Sequence, residues 1–180
     1  MRNGTKILFV AVLMCVFGTV SVDAQNNLQS VQGLTAYDSV GRRIGNVLGF
    51  TASPGINDGL GAPVVAFAQD NTTFVLTLSK GRFFGIQFAL YYTSTDCTGT
   101  GYFFGDLPDN NSNSPTVDTV VFNGVLHVPN SPPQTVSAKS ALLDSNPPFC
   151  NPQENEILGA KQAKILVNLT SLFTPPFSVR

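Results

Sequence analysis

Apolar and polar residues alternate along most of this chain, which is the pattern of half-buried β-strands. In residues 72–78, Phe74, Leu76 and Leu78 fall on one face, and residues 62–68 are apolar apart from one proline. Residues that favour turns separate these segments. The pattern predicts strands over residues 34–37, 44–50, 62–68, 72–78, 83–93, 102–104, 120–122, 125–128, 135–143 and 163–169.

The clearest turn signal is Asn123-Gly124 within VVFNGVLHV, which predicts a two-residue type I′ hairpin. Gly85 interrupts the aromatic run 83–93 and indicates a bulge. The segments rich in Pro, Asn, Asp and Ser are predicted to be loops, and they are residues 51–61, 107–116 and 146–155. Good helix formers precede residue 165, but the branched run Ile165-Leu166-Val167 favours a strand there.

Many short strands with turns every 8–12 residues or so predict an all-β fold. We expect an antiparallel meander that forms a small sandwich or barrel with one disulfide. No internal repeat is long enough to indicate a propeller or solenoid. Residues 25–180 are therefore predicted to form a single β domain.

Residues 1–24 have the features of a signal peptide: a positive start, an apolar core at 7–20, and a cleavage site after Ala24. An uncleaved membrane anchor is the alternative, but the apolar run falls short of the ~20 residues that cross a bilayer. Lipid attachment at Cys15 is disfavoured because a bulky residue, Met14, precedes it. We expect export by the general secretory route to the periplasm or the medium.

Charge narrows the range of partners. The chain has ten Lys and Arg and eleven Asp and Glu. Removing Arg2, Lys6 and Asp23 with the signal leaves eight basic and ten acidic side chains. A nucleic-acid surface needs clustered cations, so no nucleic-acid partner is expected. No segment after the signal is long and apolar enough to predict a membrane span.

Two cysteines, Cys97 and Cys150, remain after signal removal. Because disulfides persist in exported proteins, the sequence predicts a Cys97–Cys150 bridge. In the chain-entropy model, closing such a loop restricts the unfolded chain by roughly 4 kcal/mol. A catalytic thiol would have to use His127, the only histidine, and a zinc site lacks locally paired ligands.

Few residues could carry catalysis. A Ser–His–Asp triad would have to use His127, but no G-x-S-x-G motif is present. Paired carboxylates could serve a glycosidase, and the candidates are Asp106 with Asp109 and Glu154 with Glu156. Both pairs fall in polar segments predicted to be loops, without apolar neighbours to separate their pKa values. We therefore predict no catalytic residue, cofactor or metal.

Several features could instead bind a ligand. The oxygen-rich loop Asp106 to Asn113 could hold calcium, although it does not match an EF-hand. The glycine-containing segments do not continue into a phosphate-binding loop. Aromatic platforms for carbohydrate could come from four tyrosines, although core packing also explains them: Tyr37, Tyr91, Tyr92 and Tyr102. Glycosylation sequons lie at Asn71, Asn110 and Asn168, and a bacterial origin would leave them unmodified.

The order of several segments resembles a group of small exported bacterial β-domain proteins without an assigned activity. The segments are IGNVLGF, FVLTLS, LYYTSTDCTGTGYF, LHVP, PQTVSAKS and LFTPPFSV, and the most specific is Tyr-Tyr-Thr-Ser-Thr-Asp-Cys-Thr-Gly at 91–99. The resemblance covers roughly residues 36–180. It implies export, a β fold and a paired second cysteine. Some relatives carry collagen-like segments, but this chain has no Gly-X-Y run.

These observations favour a secreted β protein that acts as a non-catalytic binding or structural module at or outside the cell surface. The expected partner is a surface protein or a glycan. The alternative hypothesis is a small extracellular hydrolase that uses His127 or a loop carboxylate pair. A third hypothesis is that an exposed strand near one terminus pairs with another chain.

Overall fold

The computed structural model describes residues 33–51, 61–105 and 118–180. The predicted signal peptide 1–24 and the loop 106–113 lie outside these residues. The described chain is dominated by twelve strands, with one short helix: β1 Thr35–Tyr37, β2 Arg43–Thr51, β3 Ala62–Gln69, β4 Thr72–Leu78, β5 Phe83–Phe84, β6 Ala89–Tyr92, β7 Gly101–Phe103, β8 Val120–Phe122, β9 Val125–Pro129, β10 Gln134–Leu143, β11 Phe149–Asn168, α1 Leu169–Leu172 and β12 Ser178–Val179.

The first sheet has six antiparallel strands in the order β12-β1-β2-β3-β4-β5. From β1 to β5, each strand pairs with the next strand along the chain. The apolar alternation seen in the sequence places one face of β3 and β4 in the core, through Val65, Phe67, Phe74 and Leu76. The predicted meander is thus present in this half of the molecule.

The second sheet has the order β10-β6-β7-β11-β9-β8, and β10 also pairs with β11. These pairings close β10, β6, β7 and β11 into a four-strand ring. The long strand β11 makes this possible, because it pairs with β10 first, with β7 at Lys161 and Gln162, and then with β9. A small cluster of Val136, Ala138, Ile157 and Ala160 packs where β10 meets β11.

The two sheets pack face to face in a sandwich-like arrangement around one main core. Phe74 and Leu76 of the first sheet share this core with Val121, Leu126 and Val128 of the second. The all-β fold and the antiparallel sheets are therefore as predicted. No helix in the described part of the chain is long and apolar enough to cross a membrane.

The segment 83–93, predicted as one strand, is two strands in two different sheets. Gly85 lies at the crossing, where a Cβ atom would overlap the carbonyl oxygen of Thr119. The Thr119 hydroxyl accepts a hydrogen bond from the Ile86 amide at 3.0 Å and donates one to the Val75 carbonyl at 3.1 Å. Close backbone packing between the sheets, rather than a bulge within one strand, thus explains this glycine.

The prediction of a loop over the proline-rich segment 146–155 is wrong from Phe149 onward, because β11 begins there. Helix α1 and strand β12 were not predicted either. Asn168 caps α1, since its side-chain oxygen accepts a hydrogen bond from the Thr170 amide at 3.0 Å. The Asn123-Gly124 hairpin is confirmed: it joins β8 to β9, and both residues have positive φ, 49° and 78°.

Candidate binding surface

An open cleft of about 350 Å³ lies where β6 begins and β7 ends. Its lining residues are Gln87, Phe88, Ala89, Tyr91 and Phe104. We call this surface the aromatic cleft. Tyr91 of β6 pairs with Tyr102 of β7. This pairing brings the residues that follow Tyr102 alongside the start of β6, where the cleft lies. Phe88 comes from the segment that crosses from β5 to β6.

The aromatic side chains of the cleft are unusually accessible. Phe88 is 70% exposed and Phe104 is 46% exposed. The Tyr91 and Phe104 rings pack with centroids 5.7 Å apart at an angle of 50°, so they form one continuous apolar wall. Soluble proteins rarely expose clustered large apolar side chains without a function, and such patches commonly mark interaction sites.

Gln87 holds this wall in place. Its side-chain amide donates to the Phe104 carbonyl at 3.2 Å, and its side-chain oxygen accepts from the Phe104 amide at 3.1 Å. The Gln87 backbone amide also donates to the Thr119 carbonyl at 2.9 Å. Gln87 is therefore tied to the segments that flank β7 and β8 of the second sheet, and the oxygen and one of the two N–H groups of its side-chain amide are already in use.

Tyr91 supplies the remaining polar side chain of the cleft. Burial raises the pKa of its phenol above the ordinary value, so the hydroxyl stays protonated at neutral pH. Tyr92 points the other way and is buried in the second core cluster with Leu90 and Phe103. Tyr91 and Tyr92, which are neighbours on β6, thus face opposite sides of the sheet.

The other two candidate tyrosines do not line the cleft, although Tyr102 is the cross-strand neighbour of Tyr91. The guanidinium of Arg180 sits 4.5 Å from the ring centroid of Tyr37, on the first sheet. Tyr102 packs against the cluster between β10 and β11. The structure therefore does not gather the four tyrosines into one platform. Instead it combines Tyr91 with two phenylalanines, Phe88 and Phe104.

His127 lies on β9, half-buried against the Phe122 ring, with the two ring centroids 5.7 Å apart. Burial lowers its pKa, an effect that hydrogen bonding to the backbone of Val125 and Val120 partly offsets. Its hydrogen-bond partners within the described residues are backbone groups. Among the described residues, no Ser or Asp side chain forms a hydrogen bond with this histidine, so the triad that the hydrolase hypothesis needs is not seen there.

Only one of the two candidate carboxylate pairs lies within the described residues. Asp106 and Asp109, like the calcium-binding candidate Asp106 to Asn113, lie outside the described residues. Glu154 and Glu156 lie on β11 rather than in a loop, and both side chains are exposed. Two residues apart on a strand, they point to the same face, which opens to solvent. They have no apolar enclosure of the kind that surrounds the acid of a catalytic carboxylate pair.

Cys97 and Cys150 form the predicted disulfide. Neither sulfur is therefore a thiol in this state, which rules out the nucleophile and zinc-ligand alternatives for the oxidised protein. The Cys97 amide donates to the Ser140 hydroxyl at 3.1 Å, and that hydroxyl donates to the Ser94 carbonyl at 2.7 Å. Across the described ranges, no group of three or more His, Cys, Asp or Glu side chains is placed to hold a metal ion.

Of the residues that line the cleft, Tyr91 was a candidate from the sequence, whereas Phe88, Phe104 and Gln87 were not. Phe88 and Phe104 belong to aromatic segments that we assigned to strands, and strand aromatics are usually buried. Only the crossing at Gly85 and the end of β7 at Phe103 leave them accessible. No protein-family model, curated protein or solved structure matches this chain.

Proposed function

We propose that this protein is a non-catalytic binding module that docks an apolar side chain of a protein partner in the aromatic cleft. The main support for this proposal is the exposure of Phe88 and Phe104 beside the half-buried Tyr91. Aromatic side chains are enriched at protein interfaces and dominate their binding energy when partner side chains surround them. The held geometry of the cleft reduces the cost of ordering it on binding.

The chemistry of the cleft favours a protein over a glycan. A sugar presents many hydroxyl groups, and each hydroxyl that loses water needs a new hydrogen-bond partner. The oxygen and one of the two N–H groups of the Gln87 side-chain amide are paired with the Phe104 backbone, which leaves its second N–H and the Tyr91 hydroxyl as the side-chain hydrogen-bonding groups of the described lining residues. An apolar side chain needs no such partner and gains from burial against Phe88 and Phe104.

We place this binding outside the cytoplasm. The signal-like residues 1–24 are the main support, and the Cys97–Cys150 disulfide is weakly consistent with an oxidising compartment. The exported bacterial proteins that this chain resembles point the same way. Surface or secreted proteins are accordingly the partners to search first.

A displayed peptide library tests the proposal. We expect the oxidised protein to enrich peptides that share an aromatic or large aliphatic anchor. Phe88→Ser should weaken those peptides at least tenfold, since it removes the most exposed aromatic contact. Phe149→Ser is the matched control, because Phe149 is 56% exposed but does not line the cleft. It should leave affinity unchanged.

Three results would overturn the proposal. The first is a library that enriches no peptide, and the second is a set of enriched peptides that bind the Phe88→Ser variant as well as the unaltered protein. The third is a glycan-array signal that depends on Phe88 without any peptide enrichment, which would assign the cleft to carbohydrate.

A further inference from the structure

A second cavity, of about 290 Å³, lies at one end of the first sheet. There β2 ends, β3 begins and β4 ends, because antiparallel pairing places Phe50 opposite Pro63 and Val64 opposite Thr77. The C-terminal segment completes the wall with Phe177 and Val179. The volume lies near the lower end of the roughly 300–1,000 Å³ range of small-molecule sites.

The walls of this cavity are apolar and firmly held. Leu78 is 2% exposed and Phe177 is 9% exposed, so both belong to the core as well as to the cavity wall. The Phe177 amide donates to the Lys80 carbonyl at 2.8 Å, and its ring packs 4.5 Å from that of Phe83. Phe50, at the entrance, is half-exposed.

The polar groups of the cavity lie at its edge. The Ser79 hydroxyl accepts a hydrogen bond from the Arg82 amide and is used in the β4–β5 turn. Lys80 is exposed, and none of the ion pairs seen within the described residues involves it. Lys80 thus brings to the edge of an apolar pocket a positive charge that has no ion-pair partner among the described residues, and Ser178 also lines this pocket.

We infer that this cavity binds a small amphipathic monocarboxylate, with its apolar body against Leu78 and Phe177 and its carboxylate at Lys80. A single ammonium matches a single negative charge, whereas a phosphate dianion is normally held by several donors. The size of the cavity fits a short acyl chain or one aromatic ring. This site is separate from the aromatic cleft, with which it shares no lining residue.

Octanoate and the uncharged 1-octanol are the probes, titrated into the isotopically labelled, oxidised protein and followed by amide NMR. We expect saturable shifts from octanoate at residues 78–80 and 177–179. Lys80→Gln should weaken octanoate by up to about fivefold, the upper end of what one exposed charge pair contributes, and leave octanol unchanged. Phe50→Ser should weaken both probes because it removes an apolar wall that they share.

Lys139→Gln is the matched control, since Lys139 is an exposed lysine of β10 that does not line the cavity. It should leave octanoate binding unchanged, as should Phe88→Ser in the aromatic cleft. The inference fails if octanoate gives no saturable shifts at these residues. It also fails if Lys80→Gln weakens octanoate no more than Lys139→Gln does, because the charge would then play no specific part.

Discussion

The two sheets differ in how their strands find partners. In the first sheet, β1 to β5 pair in chain order, so each strand needs only a neighbouring segment. In the second sheet, β6 pairs with β10 and β7 with β11, which are far apart in the chain. Bringing distant segments together costs more loop-closure entropy before any contact stabilises them, so the second sheet is the more demanding half to assemble.

Specific ties accompany the long-range pairings. The disulfide joins residues separated by 53 positions, and the buried Ser140 hydroxyl bonds to Ser94 across 46 positions. The one distant pairing of the first sheet, β12 with β1, lies beside a similar tie. There the buried Asp38 carboxylate accepts from the Thr174 amide, 136 positions away, at 3.2 Å. The local hairpins rely on alternation and turns, whereas the distant pairings carry covalent or polar links.

Reducing the disulfide should have the largest effect and should separate the two sheets. We expect the free energy of unfolding to fall by up to about 4 kcal/mol, because the reduced unfolded chain regains the freedom of the closed loop. Amide hydrogen exchange should show lost protection in β6, β10 and the first half of β11, while β3 and β4 stay protected. The sequence is unchanged, so the oxidised protein is the control. An equal loss of protection in both sheets would contradict the expected difference between them.

A methyl group at the crossing between the sheets should have a smaller effect. Gly85→Ala should destabilise the protein by about 1–3 kcal/mol, since the added Cβ overlaps the Thr119 backbone. Gly81→Ala is the matched control, because a Cβ there meets nothing within 4 Å. Urea denaturation of both variants measures the difference. If the two substitutions cost the same, the close packing at Gly85 is not what joins the sheets.

The smallest expected effect is a difference in pKa between two buried carboxyl groups, those of Asp38 and Asp144. Burial tends to raise the pKa of Asp38, but hydrogen bonds from Thr174 and Arg42 outweigh it and hold that pKa below its ordinary value. Burial raises the pKa of Asp144 above its ordinary value, and the 2.6 Å ion pair with Arg82 offsets only part of the rise. Carboxyl NMR should therefore show Asp144 titrating at higher pH than Asp38.

The two carboxyls should affect stability in opposite directions. The contribution of Asp38 is present above its unfolded pKa of about 3.9 and is lost as pH falls through the lower folded value. The contribution of Asp144 is present below about pH 3.9 and is lost as pH rises through its raised folded value. Asp38→Asn and Asp144→Asn should each remove one of these two pH dependences of stability. Urea denaturation of both variants across acidic pH measures this. Titration of both carboxyls on the same side of 3.9 would contradict this assignment.

Most of the first sheet could be predicted because its signals are local. Alternation marks β2, β3 and β4 within a residue or two, and Asn123-Gly124 marks the β8–β9 hairpin of the second sheet equally well. The failures fall where a distant segment decides. Residues 83–93 divide because Thr119 packs against Gly85, and the proline-rich start of β11 becomes a strand because β10 lies beside it.

The candidate sites were less predictable than the fold. Tyr91 was a candidate from its position in the strand, but Phe88 and Phe104 could not be told from core aromatics by residue type. Asp38 shows the same limit in a structural role. Its hydrogen bond to the Gly41 amide is local, but the Thr174 amide that completes its hydrogen bonding comes from the other end of the chain.

Taken alone, the sequence determined the all-β class, the turn at Asn123-Gly124 and the pairing of Cys97 with Cys150, because each depends on residue type and near neighbours or on there being only two candidates. Tertiary structure alone decided which strands share a sheet, where β11 runs, and which aromatic side chains stay exposed. Exposure is a property of what packs against a residue, and for Phe88 and Phe104 it is set by a crossing and a strand end whose partners lie elsewhere in the chain.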